Sequence, residues 1–189
     1  MKHLWLVIGL VTCFIVPVFA SLTLSSSDIS SGGDLVLGNF KPGDANYNLP
    51  GAFTINNSSA FPGIELRCKD DSGSTWYLTV TGGSLTSSGG AALNSTAFQV
   101  LPTYAQYNDG TASPPDSNSN TTLANNLTTL SFTALSSTPV TLYTSTSGAT
   151  YNLVTGSNYV GVKVQFAVLV PGSAPAGNYT STLAFTLTE

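Results

Sequence analysis

The residues that could do chemistry in this chain are few, and most of them are carboxylates and hydroxyls. There is one histidine, His3, and there are two cysteines, Cys13 and Cys68, in 189 residues. A hydrolytic triad needs an imidazole or an equivalent base beside its nucleophile. A Ser–Lys pair would have to draw on Lys41, Lys69 or Lys163. Lys41 sits in the turn Lys41-Pro42-Gly43-Asp44, and the other two fall on the polar side of alternating stretches, which predicts solvated lysines. Glycoside hydrolysis needs two carboxyl groups facing each other across a cleft. Asp70 and Asp71 are neighbours in a turn, and Glu65 stands by itself on a polar parity. Oxygen ligands for calcium could come from Asp70-Asp71-Ser72 or from Asp109 with Asp116, but neither has the spacing of a ligand loop. The residues point away from catalysis, and no catalytic residue, metal or cofactor is expected.

The elements that carry these residues are strands. Val160, Val162, Val164, Phe166, Val168 and Val170 alternate with Gly161, Lys163, Gln165, Ala167 and Leu169, the period of a strand with one face in a core. The stretch 171–177 is rich in Pro and Gly, and after it Tyr179, Leu183, Phe185 and Leu187 share one parity. This reads as a long antiparallel hairpin. A second hairpin is predicted from Ile64, Leu66 and Cys68, through Asp70-Asp71-Ser72-Gly73-Ser74, to Trp76, Leu78 and Val80. On that parity Cys68 is a small buried hydrophobe. Shorter strands are expected at 34–40, around Phe53 and Ile55, at 97–101, around Leu130, Phe132 and Ala134, and around Val140, Leu142 and Tyr143. Periodicity is lost from Pro102 to Asn126, which predicts a long irregular loop. The expected fold is all-β: a single antiparallel β-sandwich of Greek-key, immunoglobulin-like or jelly-roll-like type.

The first twenty residues have the form of a signal peptide. Lys2 and His3 precede an apolar run over 4–16, and Val18-Phe19-Ala20 offers a cleavage site. Export with cleavage after Ala20 would remove His3 and Cys13 and leave Cys68 as the only thiol. It would also take Lys2, so four basic residues would face nine acids and the net charge would pass from −4 to −5. Residues 21–33, with Leu22 and Leu24 among Ser and Thr, read as a flexible leader or an edge strand, and 34–189 as the domain. An acidic chain with 7% charged residues lacks the basic face that nucleic acid requires. Ser and Thr make up roughly a quarter of it, against a globular average that is well below that. Such a hydroxyl-covered surface suits an extracellular wall or fibre protein. Tyr77 and Tyr159 fall on outward parities where they could stack on sugar rings. Six Asn-X-Ser/Thr sequons begin at Asn56, Asn57, Asn94, Asn120, Asn126 and Asn178.

Two motifs carry a resemblance. Trp76-Tyr77-Leu78 lies in DDSGSTWYLTVTGG, and Ala176-Gly177-Asn178-Tyr179 leads into Phe185-Thr186-Leu187. The pair resembles the WxL domain of Gram-positive surface proteins, with Phe185 where that family carries a second Trp. There is a looser similarity to spore-coat-U-like and camelysin-like proteins. The resemblance implies a secreted, non-enzymatic protein held non-covalently on peptidoglycan or another envelope polysaccharide, or on other surface proteins, with Trp76, Leu78, Phe185 and Leu187 as its motif. The alternative is a self-associating fibre or coat subunit in which Leu22 and Leu24 belong to a donated strand.

Overall fold

The computed structural model describes residues 22–26, 45–49, 64–108, 127–129, 131–145, 154 and 157–189. The expected signal peptide, the strands expected at 34–40 and around Phe53 and Ile55, and Asp109 and Asp116 lie outside the described residues. Within them the chain is all-β and contains no helix. Eleven strands run in the order β1 (Leu22–Ser26), β2 (Ala45–Leu49), β3 (Ile64–Asp70), β4 (Trp76–Gly82), β5 (Thr86–Ser87), β6 (Phe98–Asn108), β7 (Thr133–Ala134), β8 (Val140–Ser145), β9 (Tyr159–Leu169), β10 (Tyr179–Thr180) and β11 (Leu183–Thr188).

All pairings are antiparallel. A six-stranded sheet has the order β1-β3-β9-β6-β7, with β2 also on β9; a three-stranded sheet has the order β11-β4-β8; and β10 pairs with β5. β9 is the centre of the large sheet. One of its edges is paired with β6 along its length, and the other is shared by β3 and β2. Its β-branched residues suit a pleated strand buried on both faces, and every residue from Val160 to Val168 is buried.

Side chains from the two larger sheets enter one hydrophobic cluster. Ile64, Leu66, Cys68, Val100, Val162, Val164 and Phe166 come from the large sheet, and Trp76, Leu78, Val80, Leu142 and Tyr143 from the small one. Phe166 meets the half-buried Phe185 edge-on at 6.5 Å between ring centroids, which joins the sheets through an aromatic pair.

Neither expected hairpin forms. β3 and β4 flank the turn after Asp70 but belong to different sheets, and so do β9 and β11 around residues 171–177. Both turns are arches that carry the chain from one sheet to the other. Alternation records which side chains face the core, and an arch preserves that record as well as a hairpin does. In the first arch the buried Asp70 carboxylate accepts hydrogen bonds from the Ser72 amide at 2.8 Å, the Ser72 hydroxyl at 2.7 Å and the Gly73 amide at 3.1 Å. Gly73 has φ of 74°, which a residue without Cβ adopts freely.

The irregular stretch expected over Pro102–Asn126 is strand at its start, because β6 continues to Asn108; residues 109–126 lie outside the described residues. A β-bulge between Pro102 and Tyr104 shifts the register against β9, so Val100 and Pro102 precede it on one parity and Ala105 and Tyr107 follow on the other. A bulge is where a strand tolerates proline, and it breaks the alternation that a sequence pattern relies on. A second bulge, opposite Leu78 and Thr79, explains why the adjacent residues Leu142 and Tyr143 are both buried on β8.

Candidate functional site

The motif residues divide by position. Trp76 and Leu78 are fully buried, and the Trp76 indole stacks on Tyr143 at 5.0 Å and 28°. β11 does pair with β4, setting Leu187 beside Leu78 and Phe185 beside Val80. With Phe185 set beside Val80, each motif ring packs on a different aromatic: Phe185 on Phe166 and Trp76 on Tyr143. Phe185 and Leu187 are half-buried against the core. Leu22 and Leu24 are likewise half-buried, on an edge strand paired with β3, Leu22 beside Asp70 and Leu24 beside Cys68.

The middle residue of Trp76-Tyr77-Leu78 has the opposite fate. Tyr77 is the one exposed large hydrophobic side chain among the described residues, at 39% exposure. It stands on the central strand of the small sheet, between Thr144 of β8 and Thr188 of β11. Further along β4, Thr79 pairs with Thr186 and Thr141, and Thr81 with Ala184. Because alternate residues of a strand share a face, Trp76 and Leu78 anchor this segment while Tyr77 presents a ring on a surface of threonines.

That surface leads into a shallow, mainly apolar cleft of about 580 Å³, lined by Leu135, Ala184 and Gly82 together with the hydroxyl residues Thr81, Ser136 and Thr182 among others. Its walls are tied together by the backbone. The Gly82 amide donates to Ser136 O at 2.9 Å, the Leu135 amide to Phe98 O at 2.8 Å, and the Ser181 hydroxyl to Gly83 O at 2.8 Å. A Cβ at Gly82 would meet Leu183 Cδ2 at 2.9 Å and Leu135 Cβ at 3.3 Å, so a larger residue there would have to displace the Leu183 side chain. No ionisable side chain lines the cleft. In the arch beside Trp76, Glu189 Oε1 lies 2.6 Å from the Ser72 hydroxyl, competing with Asp70 for its single proton. Tyr77 and Thr81 are four residues apart, or about 13 Å of extended backbone.

The polar residues of the large sheet correct two expectations. Lys163 and Glu65, expected in solvent, are buried at 6% and 8% exposure on neighbouring positions of β9 and β3. Arg67 Nε donates to Glu65 Oε1 at 2.7 Å, and the Arg67 guanidinium lies 4.7 Å from the centroid of the Tyr159 ring. Tyr159 is therefore half-buried beneath a cation, leaving Tyr77 as the exposed ring. Gly161 makes room for this arrangement: its missing Cβ would lie 3.4 Å from both Glu65 Cδ and Tyr159 Cε2.

Asp70 is committed to its arch, and among the described residues no group of three or more His, Cys, Asp or Glu side chains gathers. Cys68 is fully buried, and burial pushes its thiol far above the usual range. Of the sequons, Asn94 and Asn178 are exposed; Asn56, Asn57, Asn120 and Asn126 lie outside the described residues.

No known protein family matches the sequence, and no curated protein matches it. Among solved structures, a family 123 glycoside hydrolase from Clostridium perfringens is similar at a TM-score of 0.38 and 10% identity, over 90% of this chain and 24% of that one. The chain thus spans about a quarter of that enzyme's length.

Proposed function

We propose that this chain is an exported, non-enzymatic protein of the cell envelope, a single WxL-like β-sandwich that holds a neutral polysaccharide along the outer face of β8-β4-β11. The two larger sheets would be the layers of the sandwich, joined by arches in the manner of immunoglobulin-like and jelly-roll folds. The observation that carries the reading is Tyr77, an exposed ring on a central strand, among threonine hydroxyls that run into an open, uncharged cleft lined by both apolar groups and hydroxyls. A pyranose ring presents C–H groups on its faces and hydroxyls around its rim. An aromatic ring takes up the first by packing, and serine and threonine hydroxyls exchange hydrogen bonds with the second. A cleft without charge suits an uncharged glycan.

In this reading the buried pair Trp76 and Leu78 serves the wall contact by holding Tyr77 in place. The fibre alternative would require Leu22 and Leu24 to leave the edge of β3 that they occupy. Sedimentation with purified wall sacculi at low salt tests the first reading, with retardation in gels carrying a neutral or an anionic polysaccharide as its companion. Tyr77→Ala should weaken retention about tenfold, equivalent to about 1.4 kcal/mol, with folding intact. Failure of the unsubstituted protein to sediment, or equal binding by Tyr77→Ala, would sink the proposal.

A further inference from the structure

The face of the large sheet that points away from the core is polar, yet its side chains are buried. On β9 that face carries Gly161, Lys163 and Gln165; beside them stand Glu65 and Arg67 of β3 and Tyr104 and Gln106 of β6. Lys163, Glu65, Gln106 and Gln165 are all buried. The Glu65 carboxylate is taken up by Arg67 Nε. The Lys163 side chain, by contrast, makes no ion pair and no hydrogen bond, and the Gln106 carboxamide makes no hydrogen bond either. A lysine held among neighbouring strands with no carboxylate to receive its charge is costly to fold. A reaction that converts its ammonium into an amide removes that cost.

The register brings the partners for that reaction together. Tyr104 pairs with Lys163 and Gln106 with Gly161, so Gln106 is the diagonal neighbour of Lys163 on this face, about 7–8 Å away. A lysine extends about 6 Å from Cα to Nζ and a glutamine about 4 Å from Cα to Cδ, so the two span that distance. From the other side of β9, Glu65 pairs directly with Lys163 and leans over Gly161, whose missing Cβ would lie 3.4 Å from Glu65 Cδ. Tyr159 Cε2 is equally close to that point and sets an apolar wall beside the carboxylate. Three chemically matched side chains, an amine, a carboxamide and a carboxylate, thus surround Gly161, which has no side chain to keep them apart.

We infer that Lys163 and Gln106 join in an isopeptide bond across β9 and β6, with Glu65 as the proton carrier. The Lys163 ammonium releases one proton to solvent, and Nζ attacks Cδ of Gln106. Glu65 takes a second proton from Nζ and passes it to Nε2. The Cδ–Nε2 bond then breaks, ammonia leaves, and a Cδ–Nζ amide remains. Nothing is oxidised or reduced, no co-reactant is consumed, and the loss of ammonia to solvent carries the reaction forward. The bond ties together the two eleven-residue strands of the large sheet. By linking residues 106 and 163 it constrains the unfolded chain as a disulfide does, a role that Cys68, buried and free, does not fill. This inference is independent of what the Tyr77 face binds.

The test is mass spectrometry of the purified protein, which needs no substitution. Loss of ammonia should place its mass about 17 Da below that of its sequence. Trypsin should fail to cut after the acylated Lys163, leaving a fragment from Asp70 to Glu189 whose fragmentation maps the link to Gln106. Lys163→Met and Gln106→Ala should each carry their full mass, and so should Glu65→Ala, which keeps amine and carboxamide but lacks the proton carrier. Lys69→Met, on the same face of β3, should leave the loss unchanged. A parent protein of full mass, a loss of about 18 Da marking a bond to Glu65 in place of Gln106, a link mapped to any other pair, or a Glu65→Ala variant that reacts as completely as the parent would each overturn the inference.

Discussion

Trp76 and Tyr77 are neighbours in sequence, and their replacement by alanine should have opposite consequences. Trp76 is fully buried and stacked on Tyr143. Deleting a buried Trp costs about 3–5 kcal/mol in transfer and cavity terms, and an aromatic pair adds about 0.5–1.5 kcal/mol. The total of about 4–6 kcal/mol compares with a whole-domain stability of roughly 5–15 kcal/mol. Tyr77 loses only cross-strand contacts with Thr144 and Thr188, each worth about 0.2–1 kcal/mol. With a urea m-value of about 2 kcal/mol per molar, Trp76→Ala should lower the midpoint by about 2 M or more and Tyr77→Ala by about 0.5 M. Far-ultraviolet circular dichroism is the assay, since Trp76 is the sole tryptophan once residues 1–20 are removed. Trp76→Phe, which keeps a ring against Tyr143, covers the case in which the alanine variant does not fold and should lie between the two. Glycan retention should follow the reverse order among the folded variants, with Trp76→Phe retaining binding that Tyr77→Ala loses. A smaller midpoint loss for Trp76→Ala than for Tyr77→Ala would refute the assignment of anchor and presenter.

Three further outcomes follow from burial. Cys68 is held neutral by burial, so its folded-state pKa is raised; its contribution is complete below the unfolded thiol's pKa of about 8.5 and declines by about 1.4 kcal/mol per pH unit above it. Urea midpoints should therefore fall between pH 9 and pH 10 (roughly the span above that reference value), and Cys68→Ala should flatten that slope. Ser145 Oγ is buried without a hydrogen-bond partner, so Ser145→Ala should be neutral or stabilise by about 1 kcal/mol, and a loss above that in thermal melts would show a missed partner. Gly82→Val forces a side chain against Leu183 and Leu135; a cost of about 1–3 kcal/mol is expected from overpacking, read as a lower melting temperature together with weaker glycan retention.

The candidate face was half legible. The alternation around Trp76 put the indole inside and the phenol outside, and the structure agrees. The cleft left no trace, because Thr81, Ser84, Ser136, Ser137 and Thr182 come from separated stretches of a chain in which Ser and Thr are everywhere. Lys163 and Glu65 misled for a related reason. Their parity is polar, but a strand paired on both edges sits in the middle of a broad sheet, where neighbouring long side chains such as Arg67 lie over it.

By itself, the order of residues determined that the described chain is built from strands and, where no bulge intervenes, as in β4, which side of a strand faces the core, since both follow from the spacing of apolar residues along one extended segment. Partner choice lay beyond it. The five residues between Asp70 and Trp76, like the Pro/Gly stretch after β9, are long enough either to reverse the chain within a sheet, where strands lie about 4.8 Å apart, or to cross to the opposing sheet about 10 Å away. Tertiary packing made both of them arches. It thereby brought Phe166 against Phe185 and set β11 beside β4.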